Sequence, residues 1–237
     1  MPATSAPGQS SPAVKILSSM AVRRILVELA ADYETRHGTP VAVESVGGVD
    51  VAKRVRRGEA ADIVVLASDA IGDLAGEGRL DPSSRVDVAR SPIAVAVPAG
   101  AAHPDLSSEA AVRQAVMAAR RIAYSTGPSG RHLVALLERW RDDRRQGPQL
   151  VEAPPGVAVG TLVARGDADV GIQQLSELMA LPGIDIVGRL PTSIQSITVF
   201  AGALCVASSQ VPAARAVLAF CASEVAASAK RRNGMEP

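Results

Sequence analysis

The chain has 237 residues, 47% hydrophobic and only 2% aromatic, and its 25 Lys and Arg residues nearly balance its 24 Asp and Glu residues. So few aromatic side chains leave few platforms for stacking nucleic-acid bases. A net charge of +1 creates no long-range electrostatic attraction to nucleic acid or to an anionic membrane. We therefore expect no nucleic-acid binding, and a charged ligand would have to be held by local contacts.

The N-terminal segment 1–13 is rich in Pro, Ser and Ala, which predicts a disordered lead. It lacks the basic start and the apolar run of a secretory signal, which predicts a cytoplasmic protein. If a signal peptide has been trimmed away, we expect a periplasmic protein instead. The sequence has no apolar run of about 20 residues, so we also expect no membrane insertion.

Short strand-like runs alternate with longer helical runs from residue 14 onward, a pattern typical of an α/β protein with a mostly parallel sheet. The first predicted strands are VKIL (14–17), VAVES (41–45), DIVVLA (62–67) and IAVAV (93–97). A helix follows each of the first three. Gly38 and Gly58 are the predicted ends of the first two helices, and Ser68 or Asp69 is the predicted cap of the third.

The rest of the chain repeats this alternation. Further strands are predicted at RIAY (121–124), QLVE (149–152), VGI (170–172), IDIVG (184–188) and SITVFAGALCVA (196–207). Helices are predicted near 108–119, from the glycine-rich turn to Trp140, from Val159 to an end at Gly166, over 176–180 and over 211–220. We predict that the charged run 139–146 is a solvated helix end and that residues 229–237 form a basic polar tail.

Cys205 and Cys221 lie in a strand-like and a helix-like run, respectively. This placement predicts two buried free thiols, with a disulfide as the less favoured alternative.

Six turns join a predicted strand to a predicted helix and are rich in Ser, Gly or amide side chains. They are LSSMA (17–21), SVGGVD (45–50), LASDA (66–70), STGPSGRH (125–132), APPGVAVG (153–160) and GIQQLSE (171–177). In open parallel sheets, ligands bind beyond the carboxyl ends of the strands, where helix N-termini present unpaired N–H groups. Each turn by itself is more often a simple cap, but their recurrence predicts an anion site. We expect Ser18 and Ser19 to cap a helix and also to contact the ligand.

The turn STGPSGRH is the most specific of the six. Gly127 and Gly130 shape it, Ser129 can donate from its hydroxyl, and Arg131 offers a planar fork that suits a carboxylate. Alternatively, this turn is an ordinary helix cap and Arg131 is solvated; the sequence favours neither interpretation over the other. His132 is a candidate general base.

Several common kinds of site are excluded by their missing motifs. The sequence contains no GxxxxGK[ST], GxGxxG, GxSxG or HExxH. Its three histidines have no metal-ligand spacing to one another or to the cysteines. We therefore expect no metal, no cofactor and no obvious nucleophile, but a site made of caps and amides.

Several segments, taken in chain order, resemble the type II periplasmic solute-binding proteins. They include LSSMAVRRILVELAADYETRHG, RVRRGEAADIVVLASDAIGDLAGEGRL, IAYSTGPSGRHL and VARGDADVGIQQLSEL. The resemblance runs from Val14 to about Phe220 and is to the branch that contains molybdate-binding proteins and aconitate isomerase. It implies two α/β lobes, each a mostly parallel sheet flanked by helices, joined by two hinge crossings. Lobe 1 would comprise residues 14–90 and 197–237, and lobe 2 residues 91–196.

The resemblance also implies ligand contacts from both lobes. Those of the first lobe would be Ser18, Ser19, Gly47, Gly48 and Ala67, and those of the second Gly127, Ser129, Gly130, Gly156, Val157 and Gln174. The molybdate binders have a tyrosine at the position of Gln174 and serines at the site of Gly47 and Gly48. These departures, together with Arg131 and the amides Gln173 and Gln174, favour a larger carboxylate-bearing ligand.

The leading hypothesis is therefore a monomeric receptor that closes its hinge around a small anion and serves an ABC permease if it is exported. One alternative is an aconitate-isomerase-like enzyme, whose base would be His132 or Lys53. A molybdate or other oxyanion-binding protein of an ABC transporter is a second alternative. A ligand-sensing module is a third.

Overall fold

The computed structural model describes residues 12–141, 147–179 and 181–237. Most of the predicted N-terminal lead and residues 142–146 of the charged run lie outside these residues. The strands are β1 Val14–Ser19, β2 Val41–Val46, β3 Ile63–Ala67, β4 Val86–Pro98, β5 Arg121–Tyr124, β6 Gln149–Glu152, β7 Val170–Gln174, β8 Ile184–Arg189 and β9 Ile197–Leu204. The α-helices are α1 Arg23–His37, α2 Gly48–Arg56, α3 Ser68–Gly76, α4 Glu109–Ala118, α5 Pro128–Trp140, α6 Val159–Ala164, α7 Leu175–Leu178, α8 Val211–Ala222 and α9 Ala227–Arg232.

The strands form one continuous sheet in the order β2-β1-β3-β9-β4-β7-β5-β6, with β8 also paired to β4. β1 is parallel to β2 and β3, and β5 is parallel to β6 and β7. The central strands β4 and β9 run antiparallel to each other and to their neighbours. The sheet is thus two parallel groups of strands joined through β4 and β9.

The long strand β4 carries the chain from one group to the other. Its first half, Val86 to Pro92, pairs with β9, and its second half, from Ile93, pairs with β7 and β8. The chain returns to the first group at β9. The predicted class, an α/β fold with two lobes and two hinge crossings, is thereby confirmed.

Each group of strands has its own apolar core. In the first, β1, β3 and β9 pack on one face against α1 and α8, with Ile25, Leu29 and Phe200 buried, and on the other against α2 and α3. In the second, Trp140 and Leu133 of α5 pack with β4, β5 and β7. Because the two cores are built from different helices, each lobe can keep its own packing when the hinge strands bend.

The C-terminal segment differs from the predicted basic polar tail. Residues 227–232 form α9, and Lys230 and Met235 are each only 2% exposed. Arg90 and Glu236 then exchange two backbone hydrogen bonds of 2.8 Å, so the segment ends against hinge strand β4. The prediction was wrong because Ala226, Ala229 and Met235 provide an apolar face around the basic residues, which packs into the first core.

The two cysteines are buried and free, as predicted. Within the described residues, no single helix is long and apolar enough to span a membrane. Val211–Ala222 and Glu224–Arg232, two helical stretches bent by 54° to each other, reach that length and composition only together.

Candidate functional site

A cavity of about 490 Å³ lies between the two lobes. The carboxyl ends of β1, β3 and β7 line it, together with the first turns of α2, α3 and α5 and the loop 152–157. These are the turns that the sequence singled out for their Ser, Gly and amide content. They meet in one hollow because β1 and β3 run opposite to β5 and β7, so the carboxyl ends of the two parallel groups face each other where β4 passes from one group to the other.

Ser18 and Ser19 have different environments, although both end β1. The hydroxyl of Ser18 lies 2.7 Å from that of Ser45 on β2, and Ser18 is fully buried and away from the cavity wall. Ser19 lines the cavity, and its Oγ is buried without a hydrogen-bond partner among the described residues. Neither side chain caps the following helical turn, which corrects the predicted capping role.

Besides the short helix α7, whose N-cap is Gln174, three longer α-helices begin at the cavity wall. Their N-cap residues Gly47, Ala67 and Gly127 all line it, so α2, α3 and α5 direct their N-termini toward the same space. The first N–H groups of a helix have no partner within the helix, and the helix dipole places partial positive charge there. The cap of α3 is thus Ala67, not Ser68 or Asp69 as predicted. This convergence suits an anion.

The two glutamines at the end of β7 differ in their hydrogen-bond partners. Gln173 accepts a hydrogen bond from the Val159 N–H at 3.0 Å and donates to Glu177 at 2.7 Å, so the protein occupies both ends of its amide. Gln174 donates to Thr198 Oγ1 at 2.7 Å, and its Oε1 is buried without a partner in the described part of the chain. Because a threonine hydroxyl can donate or accept, the Gln174 amide can turn over and offer its NH₂ instead.

Glu177 is a residue of the cavity wall that the sequence analysis missed. It lies on α7, is partly buried, and accepts the Gln173 hydrogen bond on Oε2. Burial raises the pKa of its carboxyl to about 8. Its position three residues after the strand end was the available signal, but an acid in a short helix is ordinarily exposed.

The cations at the cavity are already paired with acids. Arg131 of α5 donates to Asp69 of α3 at 2.9 Å, an ion pair that bridges the two lobes. Lys53 lies 3.8 Å from Asp50, and Arg56 is paired with Glu77 outside the cavity wall. One nitrogen of the guanidinium fork that was predicted to bind a ligand carboxylate is therefore already bonded to a protein carboxylate.

The remaining predicted residues separate into two groups. Gly48, Ser129, Gly156 and Val157 line the cavity, whereas Gly130 and His132 do not. A Cβ at Gly130 would lie 1.6 Å from the carbonyl oxygen of Ser125, so this glycine is explained by a close backbone approach.

His132, predicted as a base, has its Nε2 2.7 Å from the Ile194 carbonyl oxygen. The structure thus turns its ring nitrogen toward the protein backbone and not toward the cavity. Across the described ranges, no group of three or more His, Cys, Asp or Glu residues could hold a metal ion.

Two α/β lobes with a cavity at their junction define the class of type II solute-binding proteins. The chain belongs to the bacterial extracellular solute-binding protein family, whose sequence pattern matches residues 14–236. The predicted family resemblance is confirmed.

One relative is the aconitate isomerase of a Pseudomonas species, 39% identical over 230 residues, which cover 94% of this chain and 87% of the relative. The periplasmic molybdate-binding protein of Azotobacter vinelandii superposes with a TM-score of 0.75 at 19% identity, over 94% of this chain and 99% of that one. The sulfate-binding protein of Mycobacterium tuberculosis superposes with a TM-score of 0.78 at 15% identity, over 96% of this chain and 87% of the other. The two structural likenesses establish the fold.

Proposed function

We propose that the chain binds a small polycarboxylate, of the size of a tricarboxylate, in the cavity between its lobes. The observation that carries this proposal is the pair of unpartnered atoms, Ser19 Oγ and Gln174 Oε1. They are the buried side-chain polar atoms without a partner in the described part of the chain, and their residues line one cavity from opposite lobes. An unpaired buried polar group costs about 1–3 kcal/mol, which a bound ligand would recover.

Charge and size support a polycarboxylate. The helix N-termini at Gly47 and Gly127 provide neutral N–H donors and partial positive charge on two sides of the cavity. Because the nearby cations are in ion pairs, we expect these neutral donors to hold most of the ligand charge. A volume of about 490 Å³ is typical of sites for organic metabolites, and a single tetrahedral oxyanion would leave much of it to water.

We also propose lobe boundaries near the strand junctions, with residues 14–90 and 197–237 in lobe 1 and 91–196 in lobe 2. Ligand contacts from both lobes would favour a closed arrangement. The Arg131–Asp69 ion pair would form part of that closure, since it joins α5 to α3.

A second candidate function is isomerisation of aconitate, in which the bound tricarboxylate would also react. Two observations favour it: the 39% identity to an aconitate isomerase over nearly the whole chain, and a partly buried carboxyl, Glu177, in the cavity wall.

Calorimetric titration tests the binding proposal. The ligands are tricarballylate, which is the saturated tricarboxylate without a double bond, citrate, molybdate and sulfate. We expect the tricarboxylates to bind and Gln174→Leu to weaken tricarballylate binding by about tenfold or more, because it removes a polar contact to a charged ligand. Binding of molybdate or sulfate without binding of any tricarboxylate would refute the proposal.

A further inference from the structure

We propose that Glu177 is the catalytic residue that moves the proton if this cavity isomerises an unsaturated tricarboxylate. This inference rests on the proposed aconitate isomerase function. It assigns the proton transfer to a group that the sequence did not indicate, in place of His132 and Lys53.

The position of Glu177 is the first argument. Glu177 lines the same cavity as Ser19 and Gln174, the two residues whose buried Oγ and Oε1 atoms have no partner in the described part of the chain. The Gln173 amide, itself anchored by the Val159 N–H, holds one oxygen of the carboxyl at 2.7 Å. The described part of the chain places no donor on the other oxygen and no ion pair on the group. A fixed carboxyl with one free oxygen at a ligand cavity suits a general base, which must reach the proton that it removes.

The other acids of the cavity wall differ from Glu177. Asp50 and Asp69 are in ion pairs, and Asp73 and Glu152 are exposed. Water and cations stabilise such carboxylates, so they are weak bases.

The surroundings of Glu177 carry little charge. β7, α6 and the turn 20–22, which pack against α7, have no ionisable side chain, and β4 has only Asp87 and Arg90. The cations on the cavity wall are Lys53, Arg56 and Arg131. Burial is the cause of the raised pKa of about 8. Near neutral pH a minor fraction of the group is therefore ionised, and that fraction is a stronger base than an ordinary carboxylate.

The proposed reaction needs no further reactant. In aconitate a methylene group adjoins the carbon–carbon double bond. The Glu177 carboxylate removes a proton from the methylene carbon: the C–H bond breaks, an O–H bond forms, and the electron pair spreads over the three-carbon unit and its carboxylates. The Glu177 carboxyl then returns the proton to the other end of that unit, and the double bond is left in its new position. Nothing is oxidised or reduced.

The helix N-termini and the Ser19 hydroxyl would hold the negative charge that develops during this transfer. Donors already oriented toward such a charge stabilise it without rearranging. The same cavity would thus supply both the base and the stabilising donors.

The test follows the interconversion of cis- and trans-aconitate by proton NMR in the wild type, Glu177→Gln and Glu138→Gln. Glu138 is exposed on α5 outside the cavity and serves as the matched control. We expect Glu177→Gln to lower kcat by about 10²- to 10⁴-fold, the usual contribution of a general base. We expect it to change the Kd for tricarballylate by less than about threefold, since glutamine can still accept the Gln173 hydrogen bond. The control should keep wild-type kcat.

The pH profile gives a second measurement that does not depend on a variant. We expect kcat/KM of the wild type to rise with pH and level off above about pH 8, because the base acts when ionised. A flat profile from about pH 6 to 9, or a Glu177→Gln variant with wild-type kcat, would overturn the role of Glu177 and leave the isomerase function standing. A wild type that binds tricarballylate and isomerises neither aconitate would overturn the isomerase function itself.

Discussion

Replacing Ser19 and Ser18 separately by alanine distinguishes a ligand contact from a structural hydrogen bond. Ser19 Oγ has no hydrogen-bond partner in the described structure, so its removal breaks no protein hydrogen bond and eliminates an unsatisfied buried hydroxyl. Ser18 Oγ lies 2.7 Å from Ser45 Oγ, so its removal leaves a buried hydroxyl without its partner. The adjacent residues should therefore affect stability and affinity in opposite ways.

The magnitudes follow from these contacts. A hydrogen bond to a charged group contributes about 1.5–3 kcal/mol, so Ser19→Ala should raise the Kd for tricarballylate by about 10- to 100-fold. Its Tm should stay unchanged or rise. Ser18→Ala should lose about 1 kcal/mol of unfolding free energy, a fall in Tm of about 2–4 °C for a chain of this size. Its Kd should change little, because Ser18 does not reach the cavity wall.

The assay combines calorimetric titration with thermal unfolding of the ligand-free protein. The double variant Ser18→Ala/Ser45→Ala is a further control, because removing both hydroxyls leaves neither one unpaired, and Tm should recover toward the wild type. If Ser19→Ala lowered Tm as much as Ser18→Ala and left Kd unchanged, Ser19 would be structural and the argument for the binding site would fail.

Two further predictions concern backbone packing and the buried carboxyl. Gly130→Ala would place a Cβ 1.6 Å from the Ser125 carbonyl oxygen and should cost more than about 2 kcal/mol of unfolding free energy. Gly72→Ala, at an exposed position of α3 with nothing within 4 Å of the added Cβ, should instead gain about 0.5–1 kcal/mol. Denaturant unfolding measures both, and equal effects of the two alanines would contradict the close approach. Glu177 has its pKa raised to about 8, so the folded state holds its proton where the unfolded chain has lost it, and stability falls as pH rises from about 4.5 to 8. The Tm advantage of Glu177→Gln over the wild type should therefore grow across this range, and a pH-independent difference would show that the carboxyl is not desolvated.

The strand and helix pattern was predictable because it depends on local periodicity. The predicted strand at 14–17 and the helix of Ile25 and Leu29 are present, since their apolar residues recur at the spacings of a strand and an amphipathic helix. β4 is longer than predicted, because its first half includes charged residues and is held by pairing with β9. That pairing joins segments more than a hundred residues apart and leaves no local signal.

The candidate site was only partly predictable for the same reason. Sequence identified the turns that gather at the cavity, because glycine and serine at the end of a strand have local causes in turn and helix-start geometry. It did not distinguish Gln173, whose amide is occupied by the protein, from Gln174, whose Oε1 is unpartnered. That distinction depends on Val159 and Thr198, which approach from other elements.

The sequence by itself determined the family, the order of the elements and the turns that could contact a ligand, since each of these depends on residues that are close together in the chain. Only the tertiary structure decided that Ser19 lines the cavity while Ser18 is paired, that Arg131 is held by Asp69, and that Glu177 lies partly buried in the cavity wall. Burial and hydrogen-bond partners arise from the meeting of distant segments, and it is burial that changes the chemistry of a carboxyl.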